Sequence, residues 1–250
     1  MVLGLILIVL LFTQPGLAQT SDELKGLRKE LEELKQSQRA VQKDLQEIKN
    51  LLRSMGVLPE EPKNLFLNIA GKSFMGDKNA KLTLIEFSEY QWPYCARNVR
   101  ETLPQIKRDY IDTGKIKYFF FDFPLESIHK NALKAAEASR CAGDQGKYWE
   151  MHDQLFVNST ALEMTDLARY ATALNLDLMK FQECMNAGKY VNEIRKDMLE
   201  GQKAGVRGTP TFFLGVSEGE GTKIKVTKII RGARPYIEFK QALDSLLPQK

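Results

Sequence analysis

The 250 residues are 43% hydrophobic and 27% charged, which gives enough apolar material for a buried core and excludes a disordered or fibrous chain. The 36 basic and 32 acidic residues leave a net charge of +4, too mild and too evenly spread to predict a nucleic-acid partner. Neither His129 nor His152 has a Cys or carboxylate at metal-ligand spacing, so neither a metal site nor a cofactor is expected.

Val2 to Phe12 is an unbroken apolar run, broken by Thr13-Gln14-Pro15 and followed by the small residues of Gly16-Leu17-Ala18. This predicts a secretory signal peptide over 1–18, cut after Ala18. The run is too short to span a bilayer, so no stable membrane insertion is expected after cleavage. The mature chain is then exported, periplasmic or extracellular, where cysteines tend to pair. The three present are Cys95, Cys141 and Cys184, and an odd number leaves one free or paired between molecules.

Residues 19–55 are expected to form one helix. From Leu24 to Met55 apolar residues recur at spacings of three and four, with only Gln38 interrupting them. This heptad pattern predicts a coiled coil and self-association through residues 24–55. With Leu24 at position a, the pairs Glu23–Arg28, Glu30–Lys35 and Asp44–Lys49 oppose charges between parallel, in-register copies. At ~1.5 Å per residue the segment is a stalk of roughly 45–50 Å. The alternative is a single amphipathic helix lying on its own domain. Residues 56–63, with Gly56, Pro59 and Pro62, read as a linker.

The globular part is expected over 64–250. Phe66–Ile69 predicts a short strand and Lys81–Phe87 a stronger one. A helix follows Cys95 to about Tyr110, then a turn at Thr113-Gly114 and a strand over Lys115–Phe121. Strand, helix, strand at this spacing predicts a parallel pair with a right-handed crossover. Residues 127–204 read as helices throughout. Strands over Thr211–Leu214 and Lys223–Ile230, a loop at Ser217–Gly221 and a last helix from Pro235 complete an α/β pattern. Glu86 stands out as a carboxylate in a strand that otherwise reads as buried.

Four motifs in order are similar to the DsbA-like branch of the thioredoxin superfamily. They are the strand leading into Trp92-Pro93-Tyr94-Cys95, then Phe121-Asp122-Phe123-Pro124-Leu125. Cys141-Ala142-Gly143-Asp144-Gln145-Gly146-Lys147-Tyr148-Trp149 comes next, and Gly208-Thr209-Pro210-Thr211 last. The resemblance covers most of 64–250 and implies a thioredoxin fold with a helical domain inserted at about 127–204. It implies that Cys95 matches the second cysteine of the redox motif and that Trp92 stands in place of the first. It further implies that Thr209-Pro210 is the cis-proline loop and that Glu86 is the family's buried acid. Some relatives carry a second, structural disulfide in the inserted domain, which implies a Cys141–Cys184 bridge; two separate buried thiols are the alternative. The heptads resemble the oligomerising stalks of some exported disulfide isomerases.

Dithiol exchange needs an attacking thiolate at the helix N-terminus and a second sulfur to resolve the mixed disulfide. An indole at position 92 supplies neither. Two functions therefore stand open. One is a non-catalytic, chaperone-like module that binds unfolded or extended exported polypeptides, with Trp92, Pro93, Tyr94, Thr209 and Pro210 as its contact residues. The other is a residual thiol–disulfide enzyme that uses Cys95, aided by Glu86.

Overall fold

The structure, a computed structural model, describes residues 16–55, 64–218 and 222–247. The linker expected over 56–63 and all but the end of the expected signal peptide lie outside the described residues. The chain divides into two compact units, residues 1–60 and 61–250.

The first unit is one helix, α1, Gly16–Ser54. Intrahelical ion pairs such as Lys35–Glu32 at 2.8 Å and Lys29–Glu33 at 3.8 Å line its polar faces. The heptad stripe is bare in the single chain: Leu27 is 62% exposed, Leu34 67% and Ile48 53%. Among the described residues no helix is long and apolar enough to cross a membrane.

The second unit is built on a six-stranded sheet. Its strands are β1 (Phe66–Asn68), β2 (Phe74–Gly76), β3 (Leu82–Ser88), β4 (Ile116–Asp122), β5 (Thr211–Glu218) and β6 (Lys223–Arg231). They lie in the order β1-β6-β5-β3-β4-β2, with β3 and β4 parallel and every other pair antiparallel. β3 and β4 are buried along their whole length, as central strands covered on both faces must be. Alternation divides β3 between two cores. Ile85 and Phe87 face one side, where Phe87 packs on Phe121 and Phe213 at ring separations of 5.0 and 5.4 Å. Leu84 and Glu86 face the other, beneath most of the helices.

Between β3 and β4 runs a continuous helical stretch. It comprises α2 (Pro93–Arg97), a π-turn over Asn98–Thr102, α3 (Leu103–Ile106) and a second π-turn over Lys107–Ile111. Pro104 explains the irregularity. It has no N–H to give to the preceding turn, and the wider π-turn ahead of it accommodates the ring.

Five helices separate β4 from β5: α4 (Ala132–Gly143), α5 (Tyr148–Val157), α6 (Met164–Ala173), α7 (Leu178–Asn186) and α8 (Val191–Lys203). α6 begins with a capping box, the Glu163 side chain bonding the third helical N–H and Asp166 the Glu163 N–H. α7 is capped by Asp177, whose carboxylate accepts from the N–H groups of Met179 and Lys180. α8 lies so close to the sheet that a Cβ on Gly201 would sit 2.8 Å from the Phe87 ring. A Cys141–Cys184 disulfide joins α4 to α7, with 2.00 Å between sulfurs and 5.9 Å between Cα atoms. α9 (Tyr236–Asp244) closes the fold. The architecture is the α/β thioredoxin type with an inserted helical block.

β5 continues past the expected Leu214 to Glu218, because a bulge between Leu214 and Gly215 carries the pairing onward. A Cβ on Gly215 would meet the Lys225 carbonyl at 2.4 Å, so only glycine fits that crossing. β2 was not expected from the sequence at all.

Candidate functional site

Seven residues of β3 end at Ser88, and the chain then turns through Glu89-Tyr90-Gln91 into α2. The turn is held from within. One Glu89 carboxylate oxygen accepts the Gln91 N–H at 2.6 Å, and the other meets His129 Nδ1 in a short contact. The Gln91 side-chain oxygen accepts the Asn131 N–H at 3.0 Å. Burial pushes the Glu89 carboxyl upward, while the Gln91 N–H and His129 pull it back down. His129 shows no local pattern that marks it as a site residue. The structure puts it against Glu89 and 5.3 Å from the Trp92 ring. The two partners are 40 residues apart, and no local pattern links them.

Trp92 caps α2 in an extended conformation, φ −77° and ψ 122°, the geometry a following proline imposes. Its carbonyl accepts the N–H groups of Cys95 and Ala96 at 3.0 and 3.1 Å. Its half-buried ring lies 5.4 Å from Tyr94, which is 49% exposed and carries the Arg97 guanidinium 5.0 Å over its face. Pro93 is exposed. Position 92 thus presents a small aromatic surface where a sulfur is required for exchange.

One turn further in, Cys95 is wholly buried and is the one free cysteine. Burial pushes its thiol up to about 12. The Glu86 carboxyl drives it the same way, and the hydroxyls of Ser88 and Thr209 with the Glu89 N–H act against the rise. Neither hydroxyl reaches a hydrogen bond of ordinary geometry, so their influence is proximity rather than a fixed bond. Glu86 is also wholly buried. Its Oε2 accepts from Tyr118 Oη at 2.8 Å and Asn98 Nδ2 at 3.0 Å, while Oε1 has no partner. Burial pushes its carboxyl up to about 7, partly opposed by Tyr118 and Ser88.

The Thr209–Pro210 peptide is cis. Among the described residues the backbone N–H and carbonyl of Thr209 form no hydrogen bond. The Pro210 carbonyl accepts from Gly232 at 2.8 Å, tying this loop to the segment after β6. Arg97 closes the circuit by donating to the Ala233 carbonyl at 3.1 Å. A cleft of about 390 Å³ lies beside it, with Arg97, Asn98, Thr102 and Arg234 in its walls. The structure therefore brings Glu86, Cys95 and the Thr209 hydroxyl together inside and places Trp92 and Tyr94 at the surface. Cys141 and Cys184 lie apart, within the helical block.

A sequence model of the family described as thioredoxin matches residues 69–229. Among curated proteins, a Na(+)/H(+) antiporter NhaA of Salinispora tropica is 34% identical over 139 residues, or 56% of this chain and 21% of the antiporter. The chain thus spans about a fifth of the length of the first such relatives. Disulfide bond formation protein D of Bacillus subtilis is 24% identical over 191 residues, covering 73% of this chain and 80% of that protein. The crystal structure of Wolbachia pipientis alpha-DsbA1 is 30% identical with a TM-score of 0.61, over 72% of this chain and 92% of that one. That of oxidised BdbD from Bacillus subtilis, at 24% identity and a TM-score of 0.60, shares the fold over 71% of this chain and 93% of that one.

Proposed function

Because the chain belongs to the thioredoxin family, in its DsbA-like thiol:disulfide oxidoreductase branch, we propose that it keeps that branch's polypeptide-binding surface and has lost its dithiol chemistry. The observation that carries this reading is the pairing of Trp92 with a single, fully buried Cys95. Exchange requires two sulfurs able to close to ~2.05 Å, and here the outer one is an indole. Burial pushes the Cys95 thiol up to about 12, so at neutral pH it stays protonated rather than ionising to the attacking thiolate. Turnover through Cys95 alone is thereby disfavoured by both access and ionisation.

What remains is suited to non-covalent contact. The free backbone groups of Thr209 can pair with an extended chain, as in strand addition. Trp92 and Tyr94 offer rigid aromatic area that loses little entropy on binding. The clients are unfolded or extended exported polypeptides. Export is supported by the apolar leader and by the Cys141–Cys184 bridge, which belongs in an oxidising space. The bare heptad stripe of α1 takes a second copy of the same chain, since its charge pairs match in parallel register. Several sites on one assembly then raise avidity for long clients without any new contact.

Trp92 and Trp149 are the only two tryptophans. In a Trp149→Phe variant Trp92 is the sole indole, and its emission reports the surface directly. Titration with a reduced, carboxymethylated polypeptide is expected to shift that emission saturably. Binding detected by anisotropy with no change at Trp92 would place the client elsewhere and sink the reading.

A further inference from the structure

Resting on the reading of the Thr209–Pro210 loop as a polypeptide-binding edge, we infer that the segment it takes is acidic. Arg97, Arg207, Arg231 and Arg234 are all exposed. Arg231 stands opposite Thr211, the residue that follows Pro210. Arg207 precedes Thr209 by two residues in the same loop. Arg234 sits on the segment that Gly232 ties to the Pro210 carbonyl, where its Nε donates to the Arg231 carbonyl at 2.9 Å, and Arg97, at the end of α2, reaches the same segment by donating to the Ala233 carbonyl. Among the described residues none of the four has a carboxylate at ion-pair distance. The nearby Glu101 is already engaged by Arg100 at 2.9 Å.

Two of these guanidiniums are therefore positioned by carbonyls and yet keep most of their five donors free. Arg97 is further fixed by the Tyr94 ring. A guanidinium held this way grips a carboxylate through paired hydrogen bonds at less entropic cost than a free side chain. An extended client that pairs with Thr209 places its flanking side chains beside this rim. Glu or Asp there meets unpaired positive charge, and Lys or Arg meets repulsion. The aromatic pair Trp92 and Tyr94 favours an apolar residue between the acidic flanks.

The test uses the full chain and three labelled peptides that share one apolar, aromatic centre and carry Glu, Ser or Lys on both sides. Anisotropy is expected to give the Glu peptide about tenfold tighter binding than the Ser peptide, with the Lys peptide weakest. The gap should narrow as salt shortens the screening length. An Arg97→Gln, Arg207→Gln, Arg231→Gln, Arg234→Gln variant should level the three affinities, and the corresponding Lys variant should restore the order. Equal binding of all three peptides to the native chain overturns the charge preference and leaves the binding edge standing. No binding of any peptide overturns both. A preference that survives the Gln variant assigns it to another surface and overturns this placement. Displacement of the Glu peptide by a single-stranded oligonucleotide or by phosphatidylserine vesicles, at equal charge, overturns the choice of a polypeptide.

Discussion

At position 92 the helix that carries Cys95 begins with an indole, and the neighbouring residues fit contact better than exchange. Glu86 is informative here. It costs stability to bury, and its Oε1 has no partner among the described residues, yet under the proposed function its proton serves no exchange. The sign of its effect follows from linkage. Its carboxyl titrates near 7 in the folded chain against 4.5 for an ordinary glutamate. The folded state thus holds a proton that the unfolded state releases. Stability from this group is intact below about 4.5 and is lost as pH rises to about 7, a difference of roughly 3 kcal/mol. A Glu86→Gln variant should lack that part of the slope. It is expected to be more stable than the native chain above pH 7, and urea unfolding at a series of pH values measures it. Equal pH slopes in the two proteins would show that Glu86 does not titrate in this range. The sequence and the resemblance pointed to Glu86, Cys95 and Thr209, which the structure brings into one buried cluster. They gave no sign of Glu89 and His129, because that pair spans 40 residues and exists only after folding.

Among the elements, legibility followed how much each depends on its own residues. β3 and β4 are long apolar runs that read as strands in isolation. β2 is three residues, Phe74–Gly76, in a stretch of glycine and polar residues, and it exists only by pairing at the edge with β4. The helix after Trp92 was expected to run to about Tyr110 and does so, but Pro104 breaks its regularity into π-turns that no periodicity foretells. α1 is the opposite case: its heptads are plain in the sequence, while a single chain leaves their stripe in water. Placing Glu at Leu31 and Leu45, in a Leu31→Glu, Leu45→Glu variant, puts charge into the proposed seam and should convert the proposed assembly to monomers. Analytical ultracentrifugation reads the mass. A native chain that already sediments as a monomer would leave α1 as a lone helix and remove the avidity argument.

For the whole molecule, a conserved architecture and an altered chemistry are separable. The sheet, the inserted helices and the Cys141–Cys184 bridge need nothing from position 92, so the fold is compatible with the proposed loss of the reaction. The proposed binding edge at Thr209, the proposed arginine rim and the proposed stalk are likewise independent of sulfur chemistry. The central claim is that this scaffold receives polypeptide without exchanging disulfides. It is tested most directly by insulin reduction in the presence of dithiothreitol, with the native chain beside a Trp92→Cys variant that restores a Cys-Pro-Tyr-Cys sequence. The account predicts no rate above the uncatalysed background for the native chain and a clear gain for the variant. Turnover by the native chain at a rate comparable to the variant would contradict it.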